Sequence, residues 1–163
     1  GTSIKLNRMN RQNALEYSAN EPELARFILK HFLKAEVLDF LEISVIDSGP
    51  GLARRWLTVK EGRPVESLEE LSHEAELQAT LECFKKHVTS KPQSPNSGMG
   101  LFNAVQALNK LQAFVRVRTG RLSLHQAFQG SDGIMEFDPS TRYGGRMLSA
   151  VEGTVFTICI PVS

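Results

Sequence analysis

The 163-residue chain has few of the residues that mark several large classes of protein. It has only two cysteines, Cys83 and Cys159, with neither the spacing of a zinc site nor the density of a secreted disulfide scaffold. No apolar run approaches membrane-spanning length, and no signal-peptide pattern opens the sequence. These absences favour a domain with reduced, buried thiols, and the expected location is the cytoplasm.

An excess of charge of one sign is also lacking. The 19 basic and 18 acidic residues give a net charge of +1, so the composition does not indicate a nucleic-acid-binding surface. The four histidines are scattered and suggest no metal site, and there is no Gly-x-x-x-x-Gly-Lys-Ser/Thr loop. With 41% hydrophobic residues, the chain is long enough for a single domain with its own core, spanning residues 1–163.

A predicted strand ends in a carboxylate and two closely spaced glycines within residues 42–52, Glu-Ile-Ser-Val-Ile-Asp-Ser-Gly-Pro-Gly-Leu. Asp47 would be a fixed hydrogen-bond acceptor at the rim of a sheet. Gly49 and Gly51 tolerate positive φ and leave the turn without side-chain bulk, so a flat ligand could approach the backbone. Such an acceptor suits the exocyclic amine of adenine and would repel the keto group of guanine. The same residues would also make an ordinary turn.

A second glycine-containing segment precedes a predicted amphipathic helix. Apolar residues recur at helical spacing from Leu101 to Leu111, so the helix should begin just after Gly100. Free amides and the helix dipole favour an anion at such an end. The residues expected to offer backbone amides to phosphates are Ser97, Gly98, Met99 and Gly100. The alternative is an ordinary serine-capped helix after a loop.

A third segment closes the sequence at residues 153–162, where alternation of side chains predicts a sheet strand. Gly153 and Thr154 at its start could bring a small hydroxyl close to a bound base. The alternative is a plain core strand that follows a turn.

Together, in this order, the three segments resemble the GHKL superfamily of ATP-binding domains, which includes sensor histidine kinases, type II topoisomerases, mismatch-repair ATPases and heat-shock chaperones. Asp47-Ser-Gly49-Pro-Gly51-Leu is similar to the first glycine box, Gly98-Met-Gly100-Leu101 to the second, and Gly153-Thr154-Val-Phe to the last. Residues 87–92, His-Val-Thr-Ser-Lys-Pro, look like an element found before the lid in several members. The resemblance runs from about residue 40 to the end.

The resemblance implies an α/β two-layer sandwich of the Bergerat type, with a mixed, mostly antiparallel sheet and helices on one face. It implies ATP or ADP with Mg²⁺ as ligand. Asp47 would bind the adenine amine, the loop from Ser97 to Leu101 the phosphates, and Thr154 the base through a water. Two functions are compatible with this: an adenine-nucleotide-binding module of a larger signalling, kinase or ATPase protein, and a degenerate domain without catalysis that regulates or binds other proteins.

One family motif has no convincing copy: a helix before the Asp box whose Glu activates water and whose Asn holds Mg²⁺. Glu16 and Asn20 have a suitable spacing, but Pro22 would end that helix at once. We therefore assign no catalytic residue and no metal ligand, and expect the Mg²⁺ ligand outside this sequence. Residues 2–9 are instead predicted to form a strand, followed by an insertion at about 11–40 with a helix near Glu21–Glu36.

The sequence begins at Gly1, which favours a C-terminal portion excised from a longer protein whose other domains would be its partners. If a packed helix is missing, exposed sheet surface would favour association, so a homodimer is also compatible with the sequence. Elsewhere, the patterns predict a long helix over Ser67–Val88 and a hairpin over residues 113–128 around Gly120. In that hairpin the arginines would lie on an exposed sheet face. A short strand is expected at Ile134–Phe137.

Overall fold

The fold is built on one open antiparallel sheet. A computed structural model of the chain describes residues 1–33, 35–62, 64–85, 100–129, 136–143 and 146–162. Its strands lie in the order β1-β2-β6-β3-β4-β5, and every strand pairing among the described residues is antiparallel. The strands are β1 (Thr2–Asn10), β2 (Val37–Asp47), β3 (Phe114–Gly120), β4 (Leu122–Ala127), β5 (Asp138–Pro139) and β6 (Val151–Pro161).

Five α-helices accompany the sheet in the described part of the chain: α1 (Arg11–Tyr17), α2 (Pro22–His31), α3 (Leu52–Lys60), α4 (His73–Glu82) and α5 (Gly100–Lys110). Their starts follow local sequence signals. The Asn10 side chain accepts a hydrogen bond from the Asn13 amide and so caps α1, while Pro22 occupies the first turn of α2, where a missing N–H costs nothing. None of the described helices is both long and apolar enough to cross a membrane.

The helices lie against both faces of the sheet, and the expectation of helices on one face is wrong. Phe114 packs with α2 in one apolar cluster, whereas its neighbour Val115 packs with α4 and α5 in another. Successive side chains of a strand point to opposite faces, so the two clusters lie on opposite sides of the sheet. The α1–α2 segment between β1 and β2 supplies the second helical layer. The coarser expectation of an α/β fold with a largely antiparallel sheet is confirmed.

The predicted long helix over Ser67–Val88 is interrupted. A 3₁₀ turn at Leu68–Glu70 comes first, and α4 then begins at His73, because the Ser72 hydroxyl accepts a hydrogen bond from the Ala75 amide. The apolar spacing continues across this break, so periodicity alone joins the two pieces. Residues 86–88 of the prediction lie outside the described residues.

The predicted strand at residues 2–9 is present as β1, and α2 lies within the predicted helical region of residues 21–36. The hairpin around Gly120 is also present, as β3 and β4. Its arginines, however, are not on an open face. Arg116 forms an ion pair with Glu21 at the start of α2, and Arg118 donates hydrogen bonds to backbone carbonyls. The α2 layer covers the face that the hairpin pattern left exposed.

The strand expected at Ile134–Phe137 is not found in the described part of that segment. Residues 134–135 lie outside the described residues, and Phe137 precedes the two-residue strand β5. Phe137 is instead a buried side chain that packs on Phe84, with ring centroids 4.8 Å apart.

Candidate functional site

The carboxylate predicted to bind adenine lies at the last residue of β2. Asp47 is directly opposite Thr154 on β6, and Thr154 is directly opposite Thr119 on β3. Residues opposite each other in an antiparallel pair point to the same face, so the three side chains form a row across three neighbouring strands. The row faces the side of the sheet that α4 and α5 cover, because Phe156, two residues beyond Thr154, packs in their cluster.

The Asp47 side chain is exposed at the rim of the sheet. One carboxylate oxygen, Oδ2, accepts a hydrogen bond from the Gly49 amide at 3.2 Å. This is the local bond of an ordinary Asp-initiated turn, as the alternative interpretation expects. Within the described structure the second oxygen, Oδ1, has no hydrogen bond, so it can accept one from a ligand donor.

Gly49 and Gly51 serve the turn in different ways. A Cβ at Gly49 would lie 2.9 Å from the Asp47 carboxylate, so a side chain there would press on the acceptor. Gly49 does not adopt positive φ. Gly51 does adopt positive φ, at 85°, and a Cβ there would meet the Thr119 hydroxyl at 3.1 Å. Glycine therefore meets a backbone requirement at position 51, whereas at position 49 it leaves the exposed Asp47 carboxylate in place.

Gly153 is the tightest glycine of the site. Its φ is 80°, and an added Cβ would overlap the main-chain carbonyl oxygen of Asp47. The start of β6 and the end of β2 therefore approach as closely as two backbones can. This contact fixes the position of the residue that carries the acceptor.

Thr154 is buried, with 3% of its surface exposed, and its hydroxyl lies 3.1 Å from the hydroxyl of Thr119. Thr119 in turn accepts a hydrogen bond from the Leu52 amide at 3.1 Å, at the start of α3. The two hydroxyls thus connect β6, β3 and the glycine turn. Thr119 is not among the predicted site residues, because the local sequence identifies it only as the residue before the glycine of a hairpin.

The second glycine box is described only in part. Ser97, Gly98 and Met99 lie outside the described residues. Gly100 is the first residue of α5 and is exposed, and a Cβ there would meet nothing within 4 Å. Leu101 packs in the same apolar cluster as Leu52 and Phe156. The start of α5 therefore lies on the same face of the sheet as the Asp47 row.

A buried ion pair supports the turn that follows Thr119. The Glu76 carboxylate of α4 accepts hydrogen bonds from the backbone amide and the Nε of Arg121, each at 2.7 Å. Arg121 also donates to the Leu71 carbonyl at 2.8 Å, which leaves its charge well solvated by protein groups. The pair anchors the β3–β4 turn to the helical layer.

The residues with the spacing of a metal-holding helix are far from this row. Glu16 lies in α1, which directly follows β1. The last residue of β1 is opposite the first residue of β2, whereas Asp47 is the last residue of β2. At about 3.4 Å per residue, the two ends of β2 are roughly 30 Å apart. Among the residues that the structure describes, no group of three His, Cys, Asp or Glu side chains is placed to hold a metal ion.

A cavity lined by described residues lies elsewhere. It has a volume of about 630 Å³ and lies between α2 and the β4–β5 side of the sheet, where Phe27, Phe114 and His125 form part of its wall. Phe114 belongs to the face opposite Asp47, and none of the predicted nucleotide-binding residues that the structure describes lines this cavity.

Comparisons of the chain with protein-family models, curated proteins and solved structures find no match. The likeness to the GHKL superfamily therefore rests on the glycine-containing segments themselves. The structure shows the class of fold, an α/β domain with an open six-stranded antiparallel sheet.

Proposed function

We propose that this domain binds an adenine nucleotide, ATP or ADP, at the end of β2, and that it is a nucleotide-binding module of a larger signalling, kinase or ATPase protein. The observation that carries the proposal is the exposed Asp47 carboxylate, held beside the glycine turn and directly opposite Thr154. An exposed acceptor with a free oxygen suits the two N–H groups of an adenine amine. Gly49 adds no side chain that would press on this acceptor, and Gly51 provides the positive φ of the turn beside it.

The phosphates would lie toward the start of α5. This helix runs for 11 residues from Gly100, and its first amides have no partner within the helix. Because α5 packs on the face that Asp47 occupies, one ligand could contact both the acceptor and the helix start. Ser97, Gly98, Met99 and Leu101 retain their proposed roles in that loop. Because Thr154 is buried, it would act on the base by way of Thr119 and the turn.

Calorimetric titration with ADP and with AMP-PNP tests the proposal. We expect Asp47→Asn to weaken binding by about ten- to a hundredfold, since the Gly49 amide would take the remaining side-chain oxygen and leave an NH₂ donor facing the adenine amine. Asp39→Asn is the matched control, because Asp39 lies on the same strand and the same face but at the other end. Equal affinities for Asp47→Asn and the wild type would exclude the adenine site.

A second function is that of a degenerate domain without catalysis, which acts as a regulatory or protein-interaction module. It is favoured by the position of Glu16, which lies at the opposite end of β2 from Asp47 and cannot supply the water-activating carboxylate. This function predicts nucleotide affinity that is independent of Mg²⁺ and no release of phosphate from ATP. A phosphate-release assay on the same protein, with and without Mg²⁺, separates it from the first function.

A further inference from the structure

The outer edge of β1 carries unused backbone hydrogen-bonding groups. β1 is the terminal strand of the sheet, and no described strand pairs with its outer side. Gly1 and Ile46 exchange both of their backbone hydrogen bonds, each at 2.7 Å. Hydrogen-bonded and non-bonded pairs alternate along an antiparallel ladder, and the β1–β2 register is unbroken. The N–H and C=O groups that point away from β2 therefore belong to Thr2, Ile4, Leu6 and Arg8.

The same residues carry exposed apolar side chains. Ile4 is 68% exposed and Leu6 is 64% exposed, whereas an edge strand exposed to water is ordinarily short, charged or interrupted by proline. β1 is nine residues long and contains no proline. Leu6 also ends an apolar row across the sheet, since it is opposite Leu41, which is opposite Ile160.

The cations of β1 do not protect this edge, because each has a carboxylate opposite it on β2. Lys5 is directly opposite Glu42, and Arg8 is opposite Asp39, with 3.8 Å between the Arg8 Nε and an Asp39 oxygen. These carboxylates on β2 therefore weaken, without removing, the repulsion between the β1 cations and another strand.

We propose that two copies of this chain pair along their β1 strands, antiparallel and related by a two-fold axis at Leu6, to form one continuous twelve-stranded sheet. Leu6 would exchange both backbone hydrogen bonds with Leu6 of the second copy, and Ile4 would do so with Arg8 of that copy. The apolar row from Ile160 through Leu41 to Leu6 then continues into the second sheet.

Charge repulsion disfavours an axis at Lys5 relative to one at Leu6. With the axis at Leu6, Lys5 lies opposite Asn7 of the second copy, and no like charges are directly opposite. With the axis at Lys5, two lysines would face each other at the close spacing of a non-bonded pair, which is unfavourable. With the axis at Leu6, the exposed Leu6 side chains of the two copies lie opposite each other on the same face, so a second copy covers the apolar surface of this edge in an isologous contact.

Sedimentation equilibrium of the full chain over a concentration series tests the dimer. We expect a mass twice that of one chain at high concentration. Leu6→Lys should lower the association constant about tenfold or more, because it places two ammonium groups together at the axis. Ile4→Pro should also lower it, since proline removes an outward N–H and leaves the β2 ladder intact. Leu33→Lys is the control, because Leu33 is 83% exposed and lies outside β1.

Circular dichroism establishes whether each variant is folded. If Leu6→Lys does not fold, the test of the dimer rests on Ile4→Pro. Loss of the dimer in either folded β1 variant, with the dimer kept in Leu33→Lys, supports the pairing. A single-chain mass for the wild type at every concentration overturns it, as does a dimer that folded β1 variants leave unchanged. This test does not measure nucleotide binding, so the outcome for the dimer is independent of the outcome for the Asp47 site.

Discussion

Glu76 and Arg121 form an ion pair in which the carboxylate is fully buried and the charged Nε and carboxylate oxygen lie 2.7 Å apart. The pair connects α4 to the residue that follows Gly120 in the β3–β4 turn. Because Thr119 also belongs to this turn, the ion pair indirectly supports the contacts of Thr119 with Leu52 and Thr154. This ion pair therefore stabilises the turn next to the proposed nucleotide site, but its residues are not among those proposed to bind the nucleotide.

We expect Glu76→Gln to lower the free energy of unfolding by about 3 kcal/mol or more, because it leaves the Arg121 cation buried without its counter-charge. Urea unfolding measures this change. Glu66→Gln is the control, since Glu66 is exposed and such a change is ordinarily within about 0.5 kcal/mol. If both variants unfolded at the same urea concentration, the ion pair would contribute nothing to stability.

Substitution of Gly153 should be far more costly than substitution of a glycine with similar φ in open space. In Gly153→Ala the new Cβ would overlap the Asp47 carbonyl oxygen, so we expect a loss above about 3 kcal/mol. Gly62 also has positive φ, 62°, but an added Cβ would meet nothing within 4 Å, so Gly62→Ala should cost only about 1–2 kcal/mol of backbone strain. Thermal unfolding of both proteins measures the difference. Similar losses would mean that β2 and β6 can move apart.

Both cysteine thiols should be unreactive in the folded protein. Burial, together with the nearby charges of Glu82 and Glu42 respectively, raises the pKa of Cys83 and the pKa of Cys159 to about 12 each. Both groups are therefore protonated at pH 8, and the thiolate is the reactive form. A thiol-reactive disulfide reagent should label neither cysteine rapidly in the native protein and both after unfolding in guanidinium. Rapid labelling of the native protein would show that at least one thiol is accessible and ionised.

Glu23 should make the protein more sensitive to acid. Burial raises the pKa of Glu23, but hydrogen bonds from the Thr141 hydroxyl and amide outweigh it and hold the pKa below its ordinary value. A carboxylate with a lowered folded-state pKa contributes stability above its unfolded pKa, and that stability is lost as pH falls through the folded pKa.

We therefore expect Glu23→Gln to be less stable than the wild type at neutral pH, with a difference that shrinks as the pH falls through the acidic range. Urea midpoints measured between neutral and acidic pH test this, with Glu66→Gln as the exposed control. A difference between Glu23→Gln and the wild type that does not change with pH would show that the carboxylate does not titrate differently in the two states.

Local sequence signals were sufficient for the strands and turns near the proposed site. The alternation that ends at Asp47 predicts β2, and Gly120 between two alternating segments predicts the hairpin, because both patterns involve residues close in sequence. The break before His73 was missed because the Ser72 cap interrupts a helix whose apolar spacing continues. The start of α4 is fixed by the hydrogen bond from the Ala75 amide to the Ser72 side chain, which apolar periodicity does not reveal.

Contacts between residues far apart in the sequence account for the remaining differences between the predicted and the observed structure. Thr119 joins Thr154 because β6 lies between β2 and β3, a placement that no local pattern indicates. The side of the sheet that α2 covers is likewise fixed by distant partners, such as the ion pair of Glu21 with Arg116. This ion pair between the helix and the hairpin cannot be inferred until the three-dimensional positions of both are known.

The position of β6 also bears on the order in which the domain can be assembled. β6 follows all the other strands in the chain, yet it lies between β2 and β3 in the sheet. Before residues 151–161 have left the ribosome, β1 and β2 can pair, and β3 and β4 can form their hairpin, but the two parts have no common strand. Each part would then expose an open inner edge to chaperones or to other nascent chains. Only the arrival of β6 brings Thr154 beside Asp47, so the sheet and the proposed nucleotide site are completed in the same step.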